Sequence, residues 1–83
     1  MNVSKLELWH LHYTDSLEKA MNDHPGRYML GVTHEQISAR ALATIKSRGI
    51  GAINIPQSIA WKATAKKFGI KNTYKAWGEW FNS

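Results

Sequence analysis

The side chains best suited to chemistry in this chain are cationic, and they are concentrated in its second half. Between Gln36 and Gly78 the sequence holds eight basic residues and no acidic one. The eight are Arg40, Lys46, Arg48, Lys62, Lys66, Lys67, Lys71 and Lys75. The first 35 residues hold three basic and five acidic side chains, so the net charge of +5 is polarised along the chain. An acid-free basic run of this kind is typical of a surface that contacts a phosphate backbone.

Other kinds of chemistry find little support in the residue types and their spacing. The chain contains no cysteine, which removes disulfides, thiolate metal ligands and cysteine nucleophiles. His10 and His12 are two residues apart, so on a helix they point to different sides and do not easily share one metal ion. The G-x-G at residues 49–51 follows a predicted helix rather than a strand, which disfavours a nucleotide-binding loop. We therefore expect no catalytic residue, no metal site and no cofactor.

The densest part of the basic run is expected on two helices joined by a tight turn. Apolar spacing predicts a helix from residue 57 or 58 to residue 68, which Gly69 would end. Asn72 or Thr73 would cap a last helix. Four aromatic residues would share one side of that helix: Tyr74, Trp77, Trp80 and Phe81. Their helical spacing favours a core over a platform for stacking unpaired bases, with Trp61 and Trp80 expected to be partly exposed.

This segment resembles the helix-turn-helix of transposase, excisionase and repressor-like proteins, many of which phages and mobile elements encode. Ala65 supplies the small residue where the two helices touch, Gly69 stands in the turn, and Ile70 is the apolar residue just after it. The resemblance covers about twenty of the 83 residues. From Gly69 to the first buried residue of the second helix, the spacing is one residue shorter than is usual in those families.

The resemblance implies a small regulatory protein that binds nucleic acid, most simply duplex DNA, through residues 58–82. Asn72 would read adenine in a bidentate manner, and Thr73 would touch a base edge or a phosphate. Lysines would contact phosphates without reading sequence. These are Lys62, Lys66, Lys67, Lys71 and Lys75, of which the last four are expected to form one continuous patch.

A protein partner is the alternative that the sequence leaves open. Small phage-type inhibitors or adaptors of host proteins are also short, lack catalytic residues and carry exposed aromatic side chains. An acidic host surface would suit the basic half as well as DNA would. An exposed patch that includes Trp9, Tyr13, Trp61 or Trp80 would favour this interpretation. The apolar face of residues 6–17 is in addition a candidate interface for a homodimer.

The rest of the chain predicts a mainly α-helical domain of about four helices. A first helix is expected over residues 4–22, with a capping box formed by Ser4 and Glu7. A second is expected over residues 34–47, with a capping box formed by Thr33 and Gln36. Residues 50–55 would form a short strand or an extended connector, the only β element.

Length and composition set the organisation and the compartment. Residues 1–83 are expected to form a single small domain, since the chain shows no repeat and no linker. No signal peptide is recognisable, and no apolar run approaches the roughly 20 residues that a membrane span needs. With no cysteine to pair, we expect a cytoplasmic protein without a membrane partner.

Overall fold

Four α-helices and no β-strand make up the computed structural model of the protein, which describes all residues 1–83. The helices are α1 (Val3–Asp23), α2 (His34–Arg48), α3 (Ile59–Phe68) and α4 (Tyr74–Asn82). Short 3-10 turns lie at Pro25–Arg27, Ile50–Ala52 and Ile55–Gln57. The predicted mainly α-helical fold is therefore confirmed. None of the helices is both long and apolar enough to cross a lipid bilayer.

The long helix α1 is the centre of the bundle and packs against each of the other three helices. Its apolar stripe is buried as the spacing predicts: Leu6, Trp9, Tyr13, Leu17 and Ala20. Leu8 and Leu11 also belong to the apolar face expected over residues 6–17, but 43% and 60% of their surfaces are exposed. Successive helical residues are about 100° apart, which places these two leucines on the outer side of α1.

Aromatic rings fill the core where α1, α3 and α4 meet. Trp9, Trp61, Trp77 and Phe81 are completely buried. The ring of Trp61 lies 4.9 Å from that of Trp9 and 5.0 Å from that of Trp77, centroid to centroid. The expectation that Trp61 is partly exposed is therefore wrong, whereas Trp80 is half-buried. Burial also raises the pKa of the neighbouring Tyr13 phenol to about 12, because its phenolate would be poorly solvated there.

Of the two capping boxes that the sequence predicts, the structure contains the one at α2 and lacks the one at α1. At α2 the capping box is confirmed, since Gln36 N–H donates to Thr33 Oγ1 and Thr33 N–H donates to Gln36 Oε1. At α1 the predicted box of Ser4 and Glu7 is wrong, because Asn2 is the cap. The Oδ1 atom of Asn2 accepts hydrogen bonds from the backbone N–H groups of Ser4 and Lys5.

Asn2 also joins the two ends of the chain. Its backbone N–H donates to the carbonyl of Phe81 at 2.8 Å. Its side-chain Nδ2 donates to the carbonyl of Ser83 at 3.1 Å. The start of α1 and the end of α4 are thus held side by side.

The connector between α2 and α3 is the clearest departure from expectation. Instead of a strand, it forms the 3-10 turns at Ile50–Ala52 and Ile55–Gln57. No second extended segment is available to pair with it, so tight turns satisfy its backbone locally. Ile53 N–H donates to Ile50 O at 3.0 Å, and Ser58 N–H donates to Ile55 O at 3.1 Å. The side chain of Ile55 is fully buried, which anchors the connector to the core.

Candidate nucleic-acid interface

Gly69 shapes the turn that separates α3 from α4. Its φ of 70° and ψ of 30° lie in the left-handed region, where a side chain is unfavourable. Gly69 N–H donates to Lys66 O at 3.2 Å, and Ile70 N–H donates to Ala65 O at 3.0 Å. This pair of bonds is a Schellman motif, which closes the helix and turns the chain sharply. The predicted glycine stop is confirmed.

Replacing Gly69 by alanine is expected to lower the free energy of unfolding by about 1–2 kcal/mol. An added Cβ would meet no atom within 4 Å, so the cost comes from the backbone conformation alone. Gly26→Ala is the matched control, because its site is equally open but its φ is not positive. Urea unfolding followed by circular dichroism measures both. Equal effects in the two variants would show that the left-handed turn does not constrain the helix pair.

Asn72 fastens this turn to the rest of the domain. Its Nδ2 donates to Ile55 O at 3.0 Å, and its Oδ1 accepts from the indole Nε1 of Trp77 at 2.8 Å. Both bonding partners belong to fully buried residues. The amide that was predicted to read adenine therefore makes one donated and one accepted hydrogen bond inside the protein.

The next two polar side chains are also engaged internally. Thr73 caps α4, with its Oγ1 accepting from Ala76 N–H at 3.1 Å. Tyr74 is partly exposed, yet its hydroxyl donates to Ile53 O at 2.6 Å. The first residues of α4 thus serve to hold the helix against the connector.

Aromatic rings, rather than closely approaching backbones, join α3 to α4. Phe68 lies 6.1 Å from Trp77 and 4.7 Å from Trp80 between ring centroids. Of the four rings predicted to form the core side of α4, Trp77 and Phe81 are buried and Trp80 is half-buried. Tyr74 is 40% exposed, so the prediction is wrong for that ring. The other exposed residues of α4 are Lys75, Glu79 and Asn82.

The five predicted phosphate-contacting lysines are all exposed. They are Lys62, Lys66, Lys67, Lys71 and Lys75. None has a carboxylate oxygen within 4 Å, and the same holds for Arg40, Lys46 and Arg48. The lysine ion pair of the domain joins Lys19 to Asp23 on α1. The basic half therefore carries eight cations with no internal partner.

The lysines differ in their surroundings. Lys66 and Lys67 line a groove between α3 and α1, which Asp15 and Asp23 line from the other side. Lysines of α3 and aspartates of α1, which are far apart in the sequence, thus lie on opposite sides of one groove. Lys62 lies one turn before Lys66 and outside the groove, whereas Lys71 and Lys75 lie in the turn and in the first turn of α4.

Comparison with known proteins identifies no protein that is similar to this chain. No protein-family model matches the chain, and no curated protein or solved structure is significantly similar to it. The resemblance to helix-turn-helix proteins therefore stays a prediction. The interpretation of the site depends on the geometry of this chain alone.

Two features of this region escaped the sequence interpretation. Lys5 Nζ lies 4.6 Å from the ring centroid of Trp80, a cation–π contact between the start of α1 and α4. The groove between α1 and α3 is the second feature, and the small residues Ala20 and Ala63 that line it were its only signal. Both depend on how distant helices meet, which local spacing does not encode.

Proposed function

We propose that the protein binds duplex nucleic acid through phosphate contacts made by lysines around the α3–α4 turn. The observation that carries the proposal is the set of eight exposed basic residues without an internal partner. Releasing counterions from a phosphate backbone is the general source of affinity for such a surface. The proposed role is regulatory, as the helix-turn-helix resemblance implies, and the proposed compartment is the cytoplasm, which the absence of cysteine favours.

The geometry supports backbone contact more than base reading. Asn72, Thr73 and Tyr74 bond within the protein at the position where a recognition helix would present its readers. Lysines fix a protein on a duplex but carry no sequence information directly. We therefore propose binding that tolerates many sequences, and we assign Asn72 a structural role.

The test is fluorescence anisotropy of labelled duplexes over a salt series. Replacing Lys62, Lys71 and Lys75 by glutamine is expected to weaken binding about tenfold or more at low salt. The slope of log K against log salt should become shallower by about 0.9 for each phosphate that the variant no longer neutralises. These three lysines were chosen because they lie outside the α1–α3 groove. Unrelated duplex sequences should bind with similar affinity.

The matched control removes the same charge from the other half of the chain, by replacing Lys5, Lys19 and Arg27 with glutamine. This variant should retain most of the affinity if the α3–α4 turn is the contact surface. An equal loss of affinity in both variants would mean that net charge alone attracts the duplex. Absence of binding at low salt would overturn the proposal.

A protein partner is the second candidate, and one observation favours it. The tip of the 29–32 turn is apolar, with Met29 75% and Leu30 96% exposed. Gly31, with φ of 81°, holds this turn. A tip of this kind suits insertion into an apolar pocket of a host protein. Trp9, Tyr13 and Trp61 are buried and supply no such patch.

The exposed apolar surface available for a homodimer interface at residues 6–17 is smaller than the sequence predicts. Most of the apolar residues in that range face the core, which leaves Leu8 and Leu11 exposed. Glu7, Asp15 and Glu18 are exposed on the same outer side of α1. A second copy docking there would meet like charges.

A further inference from the structure

An open groove runs between α1 and α3, and two of the basic residues counted for the duplex contact, Lys66 and Lys67, lie on its rim. Its volume is about 440 Å³, within the range of small-molecule sites. His12 contacts Phe68 edge to face, so the C-terminal end of α3 lies beside the middle of α1. The groove follows the two helices from there toward the end of α1.

The floor of the groove is mostly apolar. Ala20, Ile59 and Ala63 contribute to it. Ser16 lines the groove as well, and its hydroxyl makes no hydrogen bond within the protein. The residue is only 4% exposed, and its hydroxyl oxygen is buried. A rotation of its χ1 to another staggered position is the movement that would offer this hydroxyl to an occupant.

The rim of the groove has an excess of free positive charge. Lys19 is paired with Asp23 at 3.0 Å, so these two charges offset each other. Lys66 and Lys67 have no ion-pair partner, and Asp15 is the remaining carboxylate on the rim. Two free ammonium groups thus face one free carboxylate. This balance favours an anionic group near the C-terminal end of α3.

We propose that this groove binds a small amphipathic anion, with an apolar body against the floor and one carboxylate-like head beside Lys66 and Lys67. The apolar floor supplies affinity in proportion to the surface that it covers. The two lysines supply the preference for negative charge. This site goes beyond the proposed nucleic-acid contact and does not depend on it.

The test uses three probes with the same apolar chain and different heads: octanoate, octanol and octylammonium. Titration of isotopically labelled protein, followed by amide chemical shifts, reports where each probe binds. Octanoate should give saturable shifts at Ser16, Ala20 and Ala63, with octanol weaker and octylammonium weakest. Equal affinity for all three heads, or shifts centred elsewhere, would overturn the proposal.

Two variants distinguish the contribution of the apolar floor to binding from that of the charged rim. Ala63→Phe should fill the groove and abolish octanoate binding, whereas Ala43→Phe, at an exposed alanine of α2, should leave it unchanged. Replacing Lys66 and Lys67 by glutamine should weaken octanoate about three- to tenfold, because exposed ion pairs are individually weak. The same double variant should leave octanol binding unchanged. Since glutamines at these exposed positions preserve the fold, undiminished octanoate binding would contradict the assigned head-group site.

Discussion

Replacing Asn72 by alanine is expected to lower the free energy of unfolding by about 1–3 kcal/mol, the usual cost of leaving one buried polar group without a partner. The variant would leave the indole N–H of Trp77 without a partner, whereas the carbonyl of Ile55 would keep the hydrogen bond from Ser58 N–H. Urea unfolding followed by circular dichroism measures the decrease in stability. Under folding conditions, duplex affinity should change less than about twofold, because we propose that the amide holds the turn and does not read bases.

Asn82→Ala is the control for this substitution. Asn82 is exposed, and its side chain bonds only to Gly78 O one turn earlier. Its removal should change stability by less than about 0.5 kcal/mol. A double-mutant cycle with Trp77→Phe should show coupling between Asn72 and the indole N–H. A stable Asn72→Ala protein with much weaker duplex binding would restore Asn72 as a base reader.

Replacing Trp61 by alanine is expected to remove about 3–5 kcal/mol of stability, the usual cost of a large aromatic cavity. This is a large part of the roughly 5–15 kcal/mol that stabilises a small domain. The Trp61 ring contacts those of Trp9, Tyr13 and Trp77. Its removal therefore weakens the attachment of α3 to both α1 and α4. Urea unfolding and thermal unfolding, both followed by circular dichroism, measure the effect.

Trp80→Ala is the comparison for Trp61→Ala, since Trp80 is half-buried at the edge of the same cluster. It stacks on Phe68 and lies under Lys5, and solvent can partly replace both interactions. A decrease of about 1–2 kcal/mol in stability is expected there. If Trp80→Ala were the more damaging of the two, the centre of the core would lie between α4 and the start of α1.

Helix positions could be predicted because their signals are local. The Thr33 cap, the Gly69 stop and the stripe of α1 depend on residues within a few positions of one another. The cap of α1 was misplaced because Asn2 and Ser4 are both good caps, and a sequence does not rank them. The connector at residues 50–57 was misjudged because its isoleucines favour strands, while no partner strand exists.

The chemistry of the candidate site was harder to predict than its location. Exposure of the lysines follows from their charge. The role of Asn72 does not, because its partners are Ile55, far along the sequence, and the indole of a core residue. Trp61 was misjudged for the same reason, since burial depends on where α1 and α4 meet α3. Long-range contacts decide which polar side chains remain free.

The hydrogen bonds of Asn2 to the carbonyls of Phe81 and Ser83 hold residues 2 and 83 next to each other. A short flexible linker could join the two ends, and new ends could be opened at the exposed turn around Gly31. Two further modules fused at residues 1 and 83 would start from neighbouring points on the domain. The distance between the two modules would then be set by the contact of Asn2 with residues 81 and 83, and not by the 35 Å length of the bundle.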